Sequence, residues 1–100
     1  MSEDILSKLS KTGEWSIYFL RCSDGSIYTG VAKDVQKRLS QHKYKRGAKY
    51  TASRLPVYLE AHVPVGSHSE ALKLEYTVKR LNRERKLWII KHIVAILPPR

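Results

Sequence analysis

Residues 15–31, WSIYFLRCSDGSIYTGV, decide the fold. Two runs rich in aromatic and β-branched residues, Trp15 to Cys22 and Ser26 to Val31, flank Ser23-Asp24-Gly25, a pattern that predicts a β-hairpin. Loop length then decides which side chains share a face, because strand side chains alternate with period two. A two-residue Asp24-Gly25 loop would put Tyr18 and Tyr28 on opposite faces of the sheet. A three-residue loop with Gly25 in the left-handed conformation shifts the pairing by one and aligns Tyr18, Leu20, Tyr28 and Gly30. On the residues alone both loops stay open.

Downstream, Asp34 can cap a helix running to Lys43, with Val35, Leu39 and His42 at helical spacing. Arg38 lies four residues before His42, so the two project side by side. Residues 44–55 are basic, contain Gly47 and Ser53, and read as a loop ending at Pro56. Val57 to Val63 reads as a third strand. Ser67-His68-Ser69-Glu70 has capping-box spacing ahead of the stripe Ala71, Leu74, Val78, Leu81, with Glu75 at its border. A last helix starts at Asn82 to Glu84, with Leu87, Ile90, Val94 and Leu97 inward and Arg83, Arg85, Lys86 and Lys91 mostly outward. Pro98 and Pro99 end it. Trp88, Ile93 and Ile96 exceed what one face needs and could form a contact surface.

Upstream, Ile5, Leu6 and Leu9 give residues 1–13 the pattern of a short helical appendage cut off by Gly13, which leaves 14–97 as one domain. The expected class is α+β, with a small three-stranded, largely antiparallel sheet flanked by helices. The N-terminal residues are acidic and the longest apolar stretch is too short to cross a bilayer, so no leader and no membrane contact are expected. Cys22 is the single cysteine, which excludes an intrachain disulfide and a cysteine-based zinc site and fits a reducing, cytoplasmic setting.

The 100 residues carry 19 Lys+Arg against 9 Asp+Glu, a formal charge of +10. Self-repulsion on that scale points to a polyanionic partner. The excess sits in two blocks: eight cations against one acid in residues 31–54, and seven against two in 73–91. Brought together by the fold, they would form one basic face; as separate solvated helix faces they would mean nothing more.

Ser16-Ile17-Tyr18, Tyr28-Thr29-Gly30, Arg38, His42 and Glu75, together with KDVQKRLSQH, GAKYTASRLPV and SEALKLEYTVKRL, form an ordered set that resembles the GIY-YIG nuclease superfamily over roughly residues 15–90. The likeness is greatest to small stand-alone bacterial members. It implies metal-dependent endonuclease chemistry on DNA, with RNA also open, in a repair or recombination setting. By this resemblance Tyr18 is the general base and Tyr28 positions water or phosphate. Arg38 holds developing phosphate charge, a task suited to a planar permanent cation. His42 relays a proton from Tyr18 or orients the phosphate. Glu75 is the one protein ligand to a single Mg²⁺ or Mn²⁺. The resemblance also favours the three-residue loop, since both tyrosines must face one pocket. A phenol is a poor base at neutral pH, so the basic surroundings and a cation must favour its phenolate, or it acts by hydrogen bonding alone. Lys33, Lys37, Lys45, Arg46, Lys49 and Arg54 read as phosphate contacts, and Tyr50 as a base-stacking or core-packing residue. Specificity in such nucleases usually comes from an attached domain or a partner protein.

Ser16 replaces the glycine of the first motif and Thr29 the isoleucine of the second, while Val31 stands where several relatives carry lysine. Leu87 takes the place of an asparagine found in some members. Taken singly, each site residue has an ordinary reading: strand aromatics, a solvated arginine, a core histidine, and a Glu75–Lys79 surface pair at i,i+4. A non-catalytic nucleic-acid-binding module on the same fold is the competing function.

Overall fold

The computed structural model describes residues 13–96, with side chains through Val94. The helical appendage expected in residues 1–13 falls almost wholly outside them, as do Leu97 and the two prolines. Strands β1 (Trp15–Arg21), β2 (Ile27–Ala32) and β3 (Tyr58–Gly66) form one antiparallel sheet in the order β2-β1-β3. Helices α1 (Val35–Lys43) and α2 (Lys49–Ala52) follow the hairpin, and α3 (His68–Lys79) and α4 (Arg83–Ile96) follow β3.

The hairpin takes the three-residue loop. Gly25 has φ +83°, its N–H donates to the Cys22 carbonyl at 3.0 Å, and the Cys22 N–H reaches the Ser26 carbonyl at 2.9 Å. Leu20 consequently pairs with Tyr28 and Tyr18 with Gly30. Asp24 supports the turn by accepting from the Ser26 N–H at 3.0 Å.

Each sheet face buries its own core. Ile17, Phe19, Ile27, Val63 and Val65 pack under α3 and α4, against Leu74, Val78, Ile89 and Ile93. Tyr18, Leu20, Cys22 and Ala32 pack with Val35 and Val57 on the other face. The helix caps are those the sequence predicts: Asp34 accepts from the Lys37 N–H at 3.0 Å, and Ser67 and Glu70 complete a capping box. Asn82 caps α4 by accepting from the Arg85 N–H at 3.0 Å.

Three expectations are corrected. Residues 49–52 are a short helix rather than loop, started by extended Ala48. Strand β3 continues through Pro64 to Gly66, which an edge strand permits because the missing N–H can face away from its single neighbour. The buried face of α4 is Ile89, Ile90 and Ile93, whereas Val94 is 61% exposed. An almost continuous apolar run carries no phase information; tethers to the hairpin supply it. Arg83 Nε donates to the Gly25 carbonyl at 2.8 Å, and Lys86 Nζ, which turns inward rather than outward, donates to the Ile27 carbonyl at 3.2 Å. Ile93 is thus core, and the Trp88 ring lies 3.9 Å from that of His92.

Thr29 is 1% exposed and its hydroxyl has no hydrogen-bond partner. An orphaned buried hydroxyl costs desolvation with nothing returned. Thr29→Val is therefore expected to raise stability by about 1 kcal/mol, read as a higher thermal midpoint.

Candidate active site

Tyr18 occupies the central strand and points toward α1, where its hydroxyl lies 2.8 Å from His42 Nε2. The other ring nitrogen, Nδ1, lies 2.7 Å from Thr51 Oγ1 on α2, and that hydroxyl donates to the Ala48 carbonyl at 3.0 Å. Tyr18 is 1% exposed, and His42 and Thr51 are both 0% exposed, so the chain of hydrogen bonds runs inward from the tyrosine into the buried interior.

Two glycines make room for it. A Cβ on Gly30, directly across from Tyr18, would fall on the Tyr18 Cζ and Oη atoms, and one on Gly47 would fall on His42 Nδ1. The glycine of the second motif is thus a spacing requirement set by the tyrosine of the first. Gly30→Ala is expected to cost about 1–3 kcal/mol in a denaturant titration, because the ring has backbone beneath it and packed side chains around it.

Burial first, and the neighbouring Tyr28 second, push Tyr18 up to about 12, although Arg38 pulls in the opposite direction. Burial, reinforced by the Arg38 charge, pushes His42 down to about 4. Near neutral pH the resting pair is therefore phenol and neutral imidazole. Of the two ways expected for Tyr18 to work, the protein on its own does not favour a preformed phenolate.

Tyr28 shares this face, its ring 6.4 Å from that of Tyr18 and 5.2 Å from that of His42. Burial and the Glu75 carboxylate raise its hydroxyl, while Arg38 lowers it. Arg38 and Glu75 thus act on the same two phenols in opposite directions. Arg38 comes from α1, where its Nη1 donates to Gln41 Oε1 at 2.8 Å. Glu75 comes from α3, which packs chiefly along edge strand β2 and so reaches around to the tyrosine face. All five residues of the predicted set come together. Val31, next to the second motif, packs toward the α3–α4 core.

The Glu75 side chain is 20% exposed, with its carboxylate 3.7 Å from Lys79 Nζ, the i,i+4 pair its spacing predicts. Among the described residues no three His, Cys, Asp or Glu side chains cluster as a metal cage. One accessible carboxylate suits an ion such as Mg²⁺, which keeps several waters and completes its octahedron with substrate phosphate oxygens. The donor set therefore fits the divalent cation that GIY-YIG nucleases generally use.

The basic residues divide. Lys37, Lys45, Arg46 and Lys49 are exposed along α1, the following turn and α2. Lys33 pairs with Glu14 at 3.3 Å. Arg54 is a structural clamp: Nε meets Asp24 Oδ2 at 3.0 Å, Nη1 donates to the Tyr50 carbonyl at 3.0 Å, and the guanidinium lies 3.8 Å over the Tyr50 ring. Tyr50 also stacks on Tyr28 at 6.0 Å, so it packs against the site. Sequence reasoning missed Thr51, hidden in a supposed loop, and the placement of Lys79, whose ammonium lies 5.3 Å from the Tyr28 ring centroid.

This combination of a small antiparallel sheet, paired strand tyrosines, a helical arginine and a lone carboxylate defines a class, and the model of the GIY-YIG catalytic domain matches residues 14–87. The chain belongs to that family, part of a nuclease superfamily. More particularly, it is similar to a UPF0213 protein of Staphylococcus aureus strain Mu3, 49% identical over 75 residues that span 75% of this chain and 92% of the relative. The solution NMR structure of the protein EF2693 from E. faecalis is 32% identical, covers 92% of this chain and 97% of its own, and superposes with a TM-score of 0.54. That of the UPF0213 protein BH0048 from Bacillus halodurans is 42% identical, covering 77% and 82%, with a TM-score of 0.49. No described helix is long and apolar enough to cross a membrane.

Proposed function

We propose that this protein is a metal-dependent endonuclease that hydrolyses phosphodiester bonds in DNA, directed by the structure of its substrate in repair or recombination inside the cell. One observation carries the reading: a phenol hydrogen-bonded at 2.8 Å to a buried neutral imidazole, under the fields of both a guanidinium and a carboxylate. A surface that only gripped phosphates would have no use for a buried phenol–imidazole pair or for an acid in its midst.

In the proposed reaction Tyr18 accepts a proton from water as it passes its own to His42 Nε2. The water oxygen bonds to phosphorus, and the bond from phosphorus to the leaving oxygen breaks. Solvent protonates the leaving oxygen, and His42 returns its extra proton through Tyr18 to solvent, which restores the resting pair. With both of its nitrogens engaged and no exposed surface, His42 fits the relay role and has no face to offer a phosphate. Arg38 holds the charge that develops on the non-bridging oxygens. Tyr28 orients the water or phosphate. A Mg²⁺ or Mn²⁺ ion at Glu75 would neutralise phosphate charge and oppose the upward shift of Tyr18. Lys37, Lys45, Arg46 and Lys49 would track the flanking backbone, with Lys33 and Arg54 available only by giving up their present partners.

A panel of duplex, branched, flapped and single-stranded DNA and matching RNA, incubated with Mg²⁺ or Mn²⁺ and with EDTA, tests the proposal. Metal-dependent cleavage of a DNA member is expected, and a partner protein would sharpen the choice among substrates. Salt-sensitive binding with no cleavage in any lane would instead establish the binding module.

A further inference from the structure

We propose that Thr51 is a positioning residue which, by donating its only hydroxyl proton to the Ala48 carbonyl, holds His42 as the Nδ1–H tautomer and leaves Nε2 to receive the Tyr18 proton. The assignment follows from counting protons along the buried chain. A carbonyl only accepts and a threonine hydroxyl has one proton. Thr51 Oγ1 lies 3.0 Å from the Ala48 oxygen, and two oxygens at that distance without a proton between them would set lone pairs against each other. The proton is thus committed there, and Oγ1 faces His42 Nδ1, 2.7 Å away, as an acceptor. Nδ1 therefore carries the hydrogen. On a neutral imidazole the hydrogen bond made by one nitrogen decides the state of the other, so Nε2 is the bare nitrogen. The Tyr18 hydroxyl, 2.8 Å from it, must donate. Neighbouring Arg38 offers donors only and cannot take that proton.

The consequence for chemistry is directional. The Tyr18 proton points inward, away from substrate, and the phenol oxygen, which also accepts from Arg38, keeps a lone pair for the water it must deprotonate. In the opposite tautomer Nε2–H would donate to Tyr18, blocking the relay and spending a lone pair. Thr51 touches no reacting atom and acts through His42 alone. Gly47 serves the same end by leaving space beside Nδ1.

The inference rests on the nuclease reading for its functional meaning, but the tautomer can be read without activity. Long-range ¹H–¹⁵N correlation spectra of the full chain labelled at histidine, with His42 assigned by its loss in His42→Gln, report which nitrogen is protonated. The wild type is expected to show Nδ1–H. Thr51→Val is expected to shift His42 to the Nε2–H form and to lower single-turnover cleavage roughly 10-fold or more with little change in KM, whereas Thr51→Ser restores both. Nε2–H in the wild type, or unchanged cleavage in a Thr51→Val protein whose tautomer has shifted, would overturn the proposal. If the wild type cleaves nothing, the nuclease reading fails, while the spectra still decide whether Thr51 sets the state of His42.

Discussion

Glu75→Ala is expected to abolish metal-dependent cleavage, by about 10³-fold or more, while the protein stays folded and still binds nucleic acid. The two halves of this expectation have separate causes. Structurally the carboxylate is cheap to lose: its recorded ion pair is a 3.7 Å contact with Lys79 within one helix, and pairs of that kind contribute about 0.3–0.5 kcal/mol. Functionally it is the single proposed cation ligand, and no described cluster of acids or histidines could replace it. Removing a negative charge from a basic surface should also tighten nucleic-acid binding slightly. Single-turnover cleavage and a binding titration on the same substrate separate these effects. Equal loss of both would mean that Glu75 serves the fold instead.

Acid should destabilise the protein through His42. In the native state this imidazole resists protonation down to about 4, because burial penalises its charged form and Arg38 repels it. In the unfolded chain it titrates near 6.5. Between those values the unfolded state binds a proton that the native state does not, so stability falls as pH falls across this window. Above about 6.5 the group contributes no slope, and below about 4 it adds no further loss. At roughly 1.4 kcal/mol per unit the full effect is about 3 kcal/mol. Chemical denaturation from pH 7.5 to 4 should show this decline in the wild type and a shallower one in His42→Gln, which lacks the buried imidazole. Parallel curves would show that His42 protonates as readily in the fold as outside it.

Much of the site was legible because its residues are fixed by local rules. The hairpin is the exception: local rules leave a two- or three-residue loop open, the family resemblance favours the longer one, and Gly25 in the left-handed region then sets the register that puts Tyr18 and Tyr28 on one face. Asp34 sets the start of α1 and hence the side-by-side projection of Arg38 and His42. The capping box at Ser67 similarly fixes the phase of α3 and brings Glu75 to the border of its buried stripe. What local rules do not reach is tertiary. Helix α2 has four residues and no side-chain cap, so its existence depends on packing, including the hydrogen bond that buried Thr51 accepts from His42. Arg54 looks like any cation in a basic segment until the fold carries it to Asp24, thirty positions away in sequence. The inward turn of Lys86 likewise requires knowing that the Ile27 carbonyl lies beside α4. The two basic blocks therefore include cations, Arg54 and Lys86, that hold the fold together.

The decisive measurement is single-turnover cleavage by Tyr18→Phe beside the wild type, with Mn²⁺ present, on whichever nucleic acid the wild type cuts. Removing one hydroxyl leaves the packed ring in place over Gly30 and takes away both the acceptor for the water proton and the donor to His42. A loss of at least about 10²-fold with substrate binding unchanged is the predicted result. Cleavage by Tyr18→Phe at the wild-type rate would contradict the account.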